Sequence, residues 1–201
     1  MKKMSVLLNA FSLLPRLETD RLILREMTMR DTQDIYEYSS DPAVSRHVLW
    51  DTYQSPAQAR MYIRHVRRQY RQGFPGAFAV ELKDTHKVIG TIGFSWINPE
   101  HRACEVGYSL SRKYWNRGYA TEALARLIRY AFDELHLNRI EAQCETDNPA
   151  SGRVMEKAGM RYEGTLRQRL KNKGRFVDVK LYAILHKDFS KLKEDKNHAA
   201  L

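Results

Sequence analysis

The sequence lacks the features that mark several large classes of protein. Its 201 residues include two cysteines, Cys104 and Cys144, which are too few for a disulfide framework. Both lie in apolar patterns, so we expect buried thiols in a reducing compartment, which predicts a cytoplasmic location. No run approaches the roughly 18 apolar residues that a membrane span needs. No repeat, low-complexity tract or linker interrupts the chain, and its length fits a single domain.

Common signatures of metal, nucleotide and nucleic-acid sites are missing as well. The seven histidines show no HExxH or other ligand spacing, so no metal site is predicted. The chain has no P-loop, no GxGxxG fingerprint and no GxSxG elbow. It also has no motif that reads RNA or DNA, so no specific nucleic-acid partner is expected.

The two ends of the chain are expected to lie outside the core. The stretch "MKKMSVLLNAFSLLPR" has two lysines before an apolar run, as signal peptides do, but Asn9 and Ser12 break the run. No small-residue cleavage site follows, so secretion is not predicted. We expect one domain over 1–201, with a core at about 16–188, tails at 1–15 and 189–201, and fraying of the charged end.

What the sequence does contain is positive charge and regular hydrophobic patterning. Lysine and arginine number 34 against 24 acidic residues, a net charge of +10, which attracts anions. The patterning predicts the order β-α-α-β-β-β-α-β-α-β-β, a mixed α+β fold with about seven strands and about four helices. The predicted strands are 21–27, 77–82, 88–96, 103–110, 139–145, 160–170 and 176–185. The predicted helices are 30–39, 56–72, 120–135 and 149–158.

A polar loop of small residues, Asn116 to Thr121, precedes the amphipathic helix 120–135. A helix N-terminus presents unpaired N–H groups and a partial positive charge. Gly118 and Ala120 leave the backbone uncovered, and Arg112, Lys113 and Arg117 add charge. Taken alone, the loop is compatible with an anion site and equally with ordinary turn chemistry.

Two longer motifs resolve this ambiguity by resemblance. The stretches "EVGYSLSRKYWNRGYATEAL" and "DNPASGRVMEKAGMRYEGTLR" resemble the GNAT superfamily of acyl-CoA N-acyltransferases. The RimJ/RimL type, which acetylates N-terminal amines of ribosomal proteins, is the most similar, and the resemblance runs from "LETDRLILREMTMRD" to "DVKLYAIL". It implies a GNAT fold, a central twisted mixed sheet that splays between its fourth and fifth strands. Trp115 stands where the acyl-CoA signature has Gln or Arg, a variant frequent among RimJ/RimL-like chains.

The resemblance also implies how acetyl-CoA is held. Backbone amides from about Arg117 to Thr121 would bind the pyrophosphate, and the splayed strand would pair with the pantetheine amides. Asn148 would contact pantetheine as well as cap its helix. The cofactor-binding residues so predicted are Tyr108, Ser109, Leu110, Arg112, Arg117, Gly118, Tyr119, Ala120, Thr121, Asn148, Ser151 and Lys157.

Acyl transfer to an amine needs a proton acceptor, a polarised carbonyl and a leaving thiolate. The resemblance makes Glu105 the candidate base, directly or through water; the alternative is an ion pair with a cross-strand cation. It makes the Ser151 hydroxyl the group that assists the thiolate; the alternative is a small residue facing inward. A backbone N–H near Tyr108 or Ser109 would stabilise the oxyanion.

The acceptor is predicted less sharply than the donor. The first candidate acceptor is a protein N-terminal amine, and the alternative acceptor is a small amine (amino acid, polyamine or antibiotic). Two alternatives are not enzymes: a CoA-binding regulator without turnover and a basic nucleic-acid-binding protein. The acceptor depends on the region from Ser40 to Tyr53 and on the last hairpin. Either a monomer or a homodimer is compatible with the sequence. A stripe of exposed arginines is either solvated or contacts an acidic peptide or ribosomal RNA; it comprises Arg60, Arg64, Arg67, Arg68 and Arg71.

Overall fold

A computed structural model describes residues 14–191, which form one eight-stranded mixed sheet with helices on both faces. The strands are β1 (Leu17–Glu18), β2 (Leu22–Arg25), β3 (Ala77–Leu82), β4 (Val88–Asn98), β5 (Ala103–Leu110), β6 (Arg139–Glu145), β7 (Arg161–Asn172) and β8 (Arg175–Leu185). The helices are α1 (Thr32–Ser39), α2 (Pro42–Ser45), α3 (Pro56–Arg71), α4 (Tyr119–Asp133) and α5 (Pro149–Lys157). Residues 186–191 are also helical.

The sheet has the strand order β1-β2-β3-β4-β5-β6-β8-β7. Neighbouring strands are antiparallel except for β5 and β6, which run parallel. Parallel neighbours need a crossover connection, and α4 supplies it. The predicted mixed α+β architecture is confirmed, including the single helix that joins the two strands on which the site depends.

Alternating side chains of β4 attach the helices to the two faces of the sheet. Thr91 faces Tyr38 of α1, to which it is hydrogen bonded. Phe94 faces the other way, with its ring centroid 6.5 Å from that of Tyr130 of α4. Helix α4 buries a stripe at the spacing that its sequence predicted; it comprises Ala123, Leu124, Leu127, Ile128 and Ala131.

Three elements of the described residues were not predicted, β1, α2 and the helix over 186–191, so eight strands and six helices stand where about seven and about four were expected. Strand β1 has two residues, too few for a periodic pattern. Asp41-Pro42 was expected only to end a helix, yet it also begins α2: the Asp41 carboxylate accepts from Ala43 N at 2.9 Å. Helix α1 follows a 3-10 turn, Met29–Asp31, capped by Thr28.

The last described residues pack on the fold instead of leaving it. The ring of Phe189 lies 5.1 Å from that of Phe132 in α4. The rest of the predicted tails, 1–13 and 192–201, lies outside the described residues. Within 14–191, the helices are all too short or too polar to cross a bilayer. Both cysteines are free and buried, as predicted.

Candidate functional site

The sheet opens between β5 and β6. The two strands pair over three residues each, Ala103 with Arg139, Cys104 with Ile140 and Glu105 with Glu141. Beyond these pairs β5 continues to Leu110 bound to β4 alone. Among the described residues, no strand pairs with 106–110 on the side that faces β6. That side is therefore a row of backbone donors and acceptors available to an extended, amide-containing ligand.

The loop that follows β5 leaves the N-terminus of α4 open. Gly118 is the N-cap residue, with a φ of 81°, and no side chain caps the helix. The first bond of the helix runs from Glu122 N to Gly118 O at 3.0 Å, so the N–H groups of Tyr119, Ala120 and Thr121 have no partner within the helix. Such a terminus favours an anion. The exposed side chain of Arg117 adds positive charge beside it.

Two contacts that the sequence did not reveal fix this loop. Arg21, between β1 and β2, stacks its guanidinium 4.3 Å from the Tyr119 ring centroid and donates to the Arg117 carbonyl at 3.0 Å. Its Nε also donates to Glu122 at 2.7 Å. Burial would raise the pKa of Glu122, but hydrogen bonds from Thr19 and Arg21 leave it lowered. The loop is thus held by an ion pair between distant segments, which no local pattern could indicate.

The indole of Trp115 closes the end of β5. Its Nε1 donates to the carbonyl of Leu110 at 2.8 Å. Trp115 is the residue that departs from the acyl-CoA signature. Its hydrogen bond keeps the loop against the end of the strand, so this substitution has a structural role of its own.

A cleft of about 360 Å³ lies at the opening between β5 and β6. Its lining comes from both strands, from β4, from the start of α5 and from the segment after α2. The functional side chains on its wall include His47, Tyr62, Tyr108, Gln143, Cys144, Asn148 and Ser151. The structure therefore brings together four of the predicted residues, Tyr108, Ser109, Asn148 and Ser151.

Hydrogen bonds hold Tyr108, Asn148 and Ser151 in one arrangement. The Tyr108 hydroxyl lies 2.8 Å from Ser151 Oγ and 3.0 Å from the Ser151 carbonyl oxygen. Asn148 Oδ1 accepts from Ser151 N at 3.2 Å, so Asn148 caps α5 as predicted. Burial raises the pKa of Tyr108, so this phenol stays protonated and can donate.

Glu105 lies at the point where β5 and β6 part, but it does not line the cleft. It is half-buried, and its strand neighbours are Trp96 and Glu141. Burial raises its pKa, opposed by a hydrogen bond from Trp96, and Glu141 raises it further. Neither strand neighbour is a cation. The cation that acts on Glu105 is Arg169, whose charge lowers the pKa of Glu105 less than any other cause changes it.

Two predicted charged residues, Arg112 and Lys157, do not line the cleft, whereas Ser109 does. Arg112 is paired with Asp41 at 2.7 Å, and Lys157 is exposed near the C-terminal end of α5, the end opposite Asn148. Ser109 lines the cleft, and its Oγ lies 3.2 Å from Thr91 Oγ1. Of the charged residues predicted to contact a cofactor, Arg117 directly precedes Gly118, the N-cap residue of α4.

The arginine stripe, defined above, is fully exposed on α3 and does not line the cleft. Tyr62 is the residue of α3 that lines it. At about 100° per residue, the centre of the stripe lies about 180° around the helix axis from Tyr62. The stripe therefore lies on the flank of α3 opposite the residue that lines the cleft, a position compatible with the solvated alternative.

A cluster that the sequence did not predict borders the cleft. His47 Nδ1 lies 2.9 Å from Oε2 of Glu145 and 3.5 Å from Oδ1 of Asp147. The three side chains offer donor atoms within 4.8 Å of one another. Both Glu145 oxygens are already hydrogen bonded, to His47 and to Asn172 Nδ2. The group is therefore a hydrogen-bonded cluster of four side chains. It joins three separated parts of the chain, at His47, at Glu145 and Asp147, and at Asn172, so sequence spacing gave no sign of it.

The fold and the motifs have counterparts among known proteins. The family description "Acetyltransferase (GNAT) domain" matches residues 21–161. The chain is 37% identical over 174 residues to the uncharacterized N-acetyltransferase p20 of Bacillus licheniformis, covering 87% of this chain and 98% of the relative. It is 30% identical over 185 residues to the [ribosomal protein uS5]-alanine N-acetyltransferase of Escherichia coli, covering 87% and 93%.

Among solved structures, a GNAT-family acetyltransferase from Bacillus anthracis superposes with a TM-score of 0.77 at 31% identity, covering 86% of this chain and 99% of that one. The strand opening that the motifs predicted is thus accompanied by similarity in sequence and in fold over most of the chain. The protein belongs to the GNAT family of N-acetyltransferases.

Proposed function

We propose that the protein transfers the acetyl group of acetyl-CoA to the N-terminal amine of a protein, with both substrates bound together. The observation that carries this proposal is the free edge of β5 beside the open N-terminus of α4. A relative that is 30% identical acts on an alanine of a ribosomal protein by its name, which supports a ribosomal protein as acceptor. Relatives of higher identity are uncharacterized.

The donor would lie along the opening of the sheet. The pantetheine amides would pair with the backbone of Tyr108 to Leu110, because an unpaired strand edge binds peptide-like groups. The pyrophosphate would sit on the N–H groups that begin α4, with Arg117 as the adjoining cation. Arg112 is paired with Asp41, so its predicted contact with the donor would need a rearranged side chain, whereas Lys157 is exposed.

The chemistry follows from this placement. A backbone N–H of β5 near Tyr108 would polarise the thioester carbonyl and stabilise the oxyanion as the amine attacks. Ser151, hydrogen bonded to Tyr108, would donate to the departing thiolate. An alkyl thiol has a pKa near 8.5, so a thiolate leaves readily and one hydrogen bond suffices. Glu105 would act as a base through water, since its carboxylate is half-buried and outside the cleft wall.

A thiol-release assay tests the proposal. Acetyl-CoA is offered with a peptide that begins with alanine, with the same peptide acetylated at its N-terminus, and with polyamine and aminoglycoside acceptors. We expect release with the free peptide and none with the blocked one. Turnover with the small amines alone would favour the small-molecule alternative. Binding of CoA without turnover of any amine would favour the regulator.

A further inference from the structure

We propose that His47 takes a proton from the ammonium group of the acceptor, and that the carboxylate of Glu145 positions the His47 ring for this step. The proposal rests on the proposed function and names a residue that the GNAT motifs do not include. Four features of the cleft carry it: the orientation of the ring, the burial of its partner, the clamp on its loop and the surrounding charge.

The first feature is the orientation of the imidazole. His47 lines the cleft together with Asn148 and Ser151, and its side chain is 18% exposed. Its Nδ1 lies 2.9 Å from Glu145 Oε2, so Nδ1–H donates to the carboxylate. A histidine held in this way carries its lone pair on Nε2, which is left to accept a proton from a ligand.

The second feature is the burial of the Glu145 side chain, which is 4% exposed. A buried carboxylate is costly unless its hydrogen bonds are satisfied. Its oxygens accept from His47 and from the side chain of Asn172, at the tip of the last hairpin. A buried anion directly behind a ring in a cleft stabilises the imidazolium that forms when the ring takes a proton.

The third feature is a clamp on the segment that carries His47. Lys173 lies in the turn between β7 and β8, and its Nζ donates to three carbonyl oxygens of that segment. They belong to Ser45 at 2.8 Å, Val48 at 2.8 Å and Trp50 at 3.3 Å. The segment on both sides of His47 is therefore fixed to the hairpin, which holds the ring in place without a substrate.

The fourth feature is the charge and proton affinity of the wall. His47 has three charged neighbours: the carboxylates of Glu145 and Asp147 and the ammonium of Lys173. The Lys173 ammonium already donates its hydrogen bonds to carbonyl oxygens. The balance favours a cationic acceptor. Burial raises the pKa of Tyr62 and Tyr108, and that of Cys144 to about 11. These three groups keep their protons at neutral pH.

The reaction releases two protons from the acceptor nitrogen, so His47 and Glu105 can each take part in removing one of them. The nitrogen enters as an ammonium and leaves as an amide N–H, so it loses two protons. His47 Nε2 takes the first before the nitrogen–carbon bond forms, and later releases it to solvent. The second would leave the cationic nitrogen of the tetrahedral intermediate for Glu105, through a bridging water, as the carbon–sulfur bond breaks, and would then pass to the CoA thiolate.

The test compares His47→Gln and Glu145→Gln with wild type in the thiol-release assay at a series of pH values from mildly acidic to alkaline. The acceptor is the alanine peptide, or the fastest amine of the panel if that differs. We expect His47→Gln to lower kcat/KM for the acceptor about a hundredfold at neutral pH and less at high pH, where the amine deprotonates unaided. The KM for acetyl-CoA should not change.

The positioning role of Glu145 has its own readout. Glu145→Gln should move the acidic limb of the kcat/KM profile to lower pH, because an amide no longer stabilises the imidazolium. If Glu145 had only a structural role, Glu145→Gln would lower Tm and leave the acidic limb of the kcat/KM profile in place. His65→Gln, at an exposed position of α3, is the matched control and should leave the profile unchanged.

Two results would overturn the inference, and they differ from failure of the proposed function. One is a His47→Gln enzyme that binds CoA normally and shows an equal loss, or none, at every pH. The other is an acidic limb that Glu145→Gln leaves unmoved. If wild type turns over no amine at all, the proposed function fails and this inference fails with it.

Discussion

The hydroxyl of Tyr108 lies 2.8 Å from Oγ of Ser151, and this contact joins the two walls of the opened sheet. Tyr108 belongs to the free part of β5, and Ser151 lies in the first turn of α5, which follows β6. The motif predicted the serine as a group acting alone. The geometry couples it to a buried phenol, so the two hydroxyls should behave as one hydrogen-bonding unit.

This coupling predicts the behaviour of two variants. Ser151→Ala should lower kcat about tenfold with little change in the KM for acetyl-CoA, because the thiolate loses one donor. Tyr108→Phe should lower kcat by a smaller factor. The double variant should lose no more than about the larger single loss, because both changes remove one unit.

Steady-state kinetics of the four enzymes measures this cycle. Ser190→Ala is the control, since its hydroxyl donates to the carbonyl of His186 and does not line the cleft. Full additivity of the two losses would show that Tyr108 and Ser151 act separately.

The second prediction concerns Gly118, whose φ of 81° disfavours any residue with a Cβ. Gly118→Ala should destabilise the fold by about 1–2 kcal/mol. It should also raise the KM for acetyl-CoA, because the N–H groups that begin α4 would be displaced. Gly174→Ala provides the comparison: this hairpin glycine has a φ of 82° and open space around it.

Thermal unfolding and acetyl-CoA titration separate the two effects. Both variants should lose stability, but Gly174→Ala should keep the acetyl-CoA affinity of wild type. Equal affinities in Gly118→Ala and wild type would remove this loop from the cofactor site.

The elements that could be predicted are those specified by local sequence signals, namely hydrophobic periodicity and helix caps. Strands β3, β5 and β6 and the amphipathic helices follow from periodicity and caps, and their bounds were predicted to within a few residues. Strand β1 was missed because two residues carry no period. Helix α2 was missed because Asp41-Pro42 serves equally as a stop and as a start.

The site divides in the same way. Tyr108, Asn148 and Ser151 were found because two motifs carry them, and the structure places them on one cleft. The ion pair of Arg21 with Glu122 joins residues 101 positions apart, and the contact of His47 with Glu145 joins residues 98 apart. Contacts across such separations are set by sheet topology, which no local pattern in a single sequence indicates.

The third prediction concerns Glu105, whose raised pKa links activity to stability. A buried carboxylate with a raised pKa binds its proton more tightly in the folded state than in the unfolded state. The folded state therefore loses stability as pH rises from the ordinary glutamate value through the raised one. Glu105→Gln should increase Tm at neutral pH and have little effect below the ordinary value.

The same variant should lower activity about a hundredfold at neutral pH, and by less at high pH, where hydroxide replaces the carboxylate. Tm and kcat measured across one pH series test both parts. An equal loss of activity at every pH would exclude Glu105 as a base. A decrease of Tm at neutral pH would show that its carboxylate is stabilising instead.

The fourth prediction concerns the arginine stripe, which lies on the flank of α3 away from Tyr62. Reversal of charge at Arg64 and Arg68 to Glu should leave the KM for a short peptide acceptor unchanged at physiological salt. Charges separated by more than the Debye length of about 8 Å are largely screened. Acceptor kinetics at two salt concentrations measures the effect. A raised KM that persists at high salt would place the stripe in contact with the acceptor.

The last prediction concerns Lys173, which holds the segment around His47 by three carbonyls. Lys173→Met removes the donors and leaves those carbonyl oxygens without them, so the wall of the acceptor cleft should loosen. We expect the KM for the acceptor to rise about tenfold, the equivalent of one charged hydrogen bond, while the KM for acetyl-CoA stays at its wild-type value. Lys171→Met, two residues earlier on an exposed position of β7, is the matched control. If both substrates lost affinity together, the clamp would support the whole sheet opening and not the acceptor side alone.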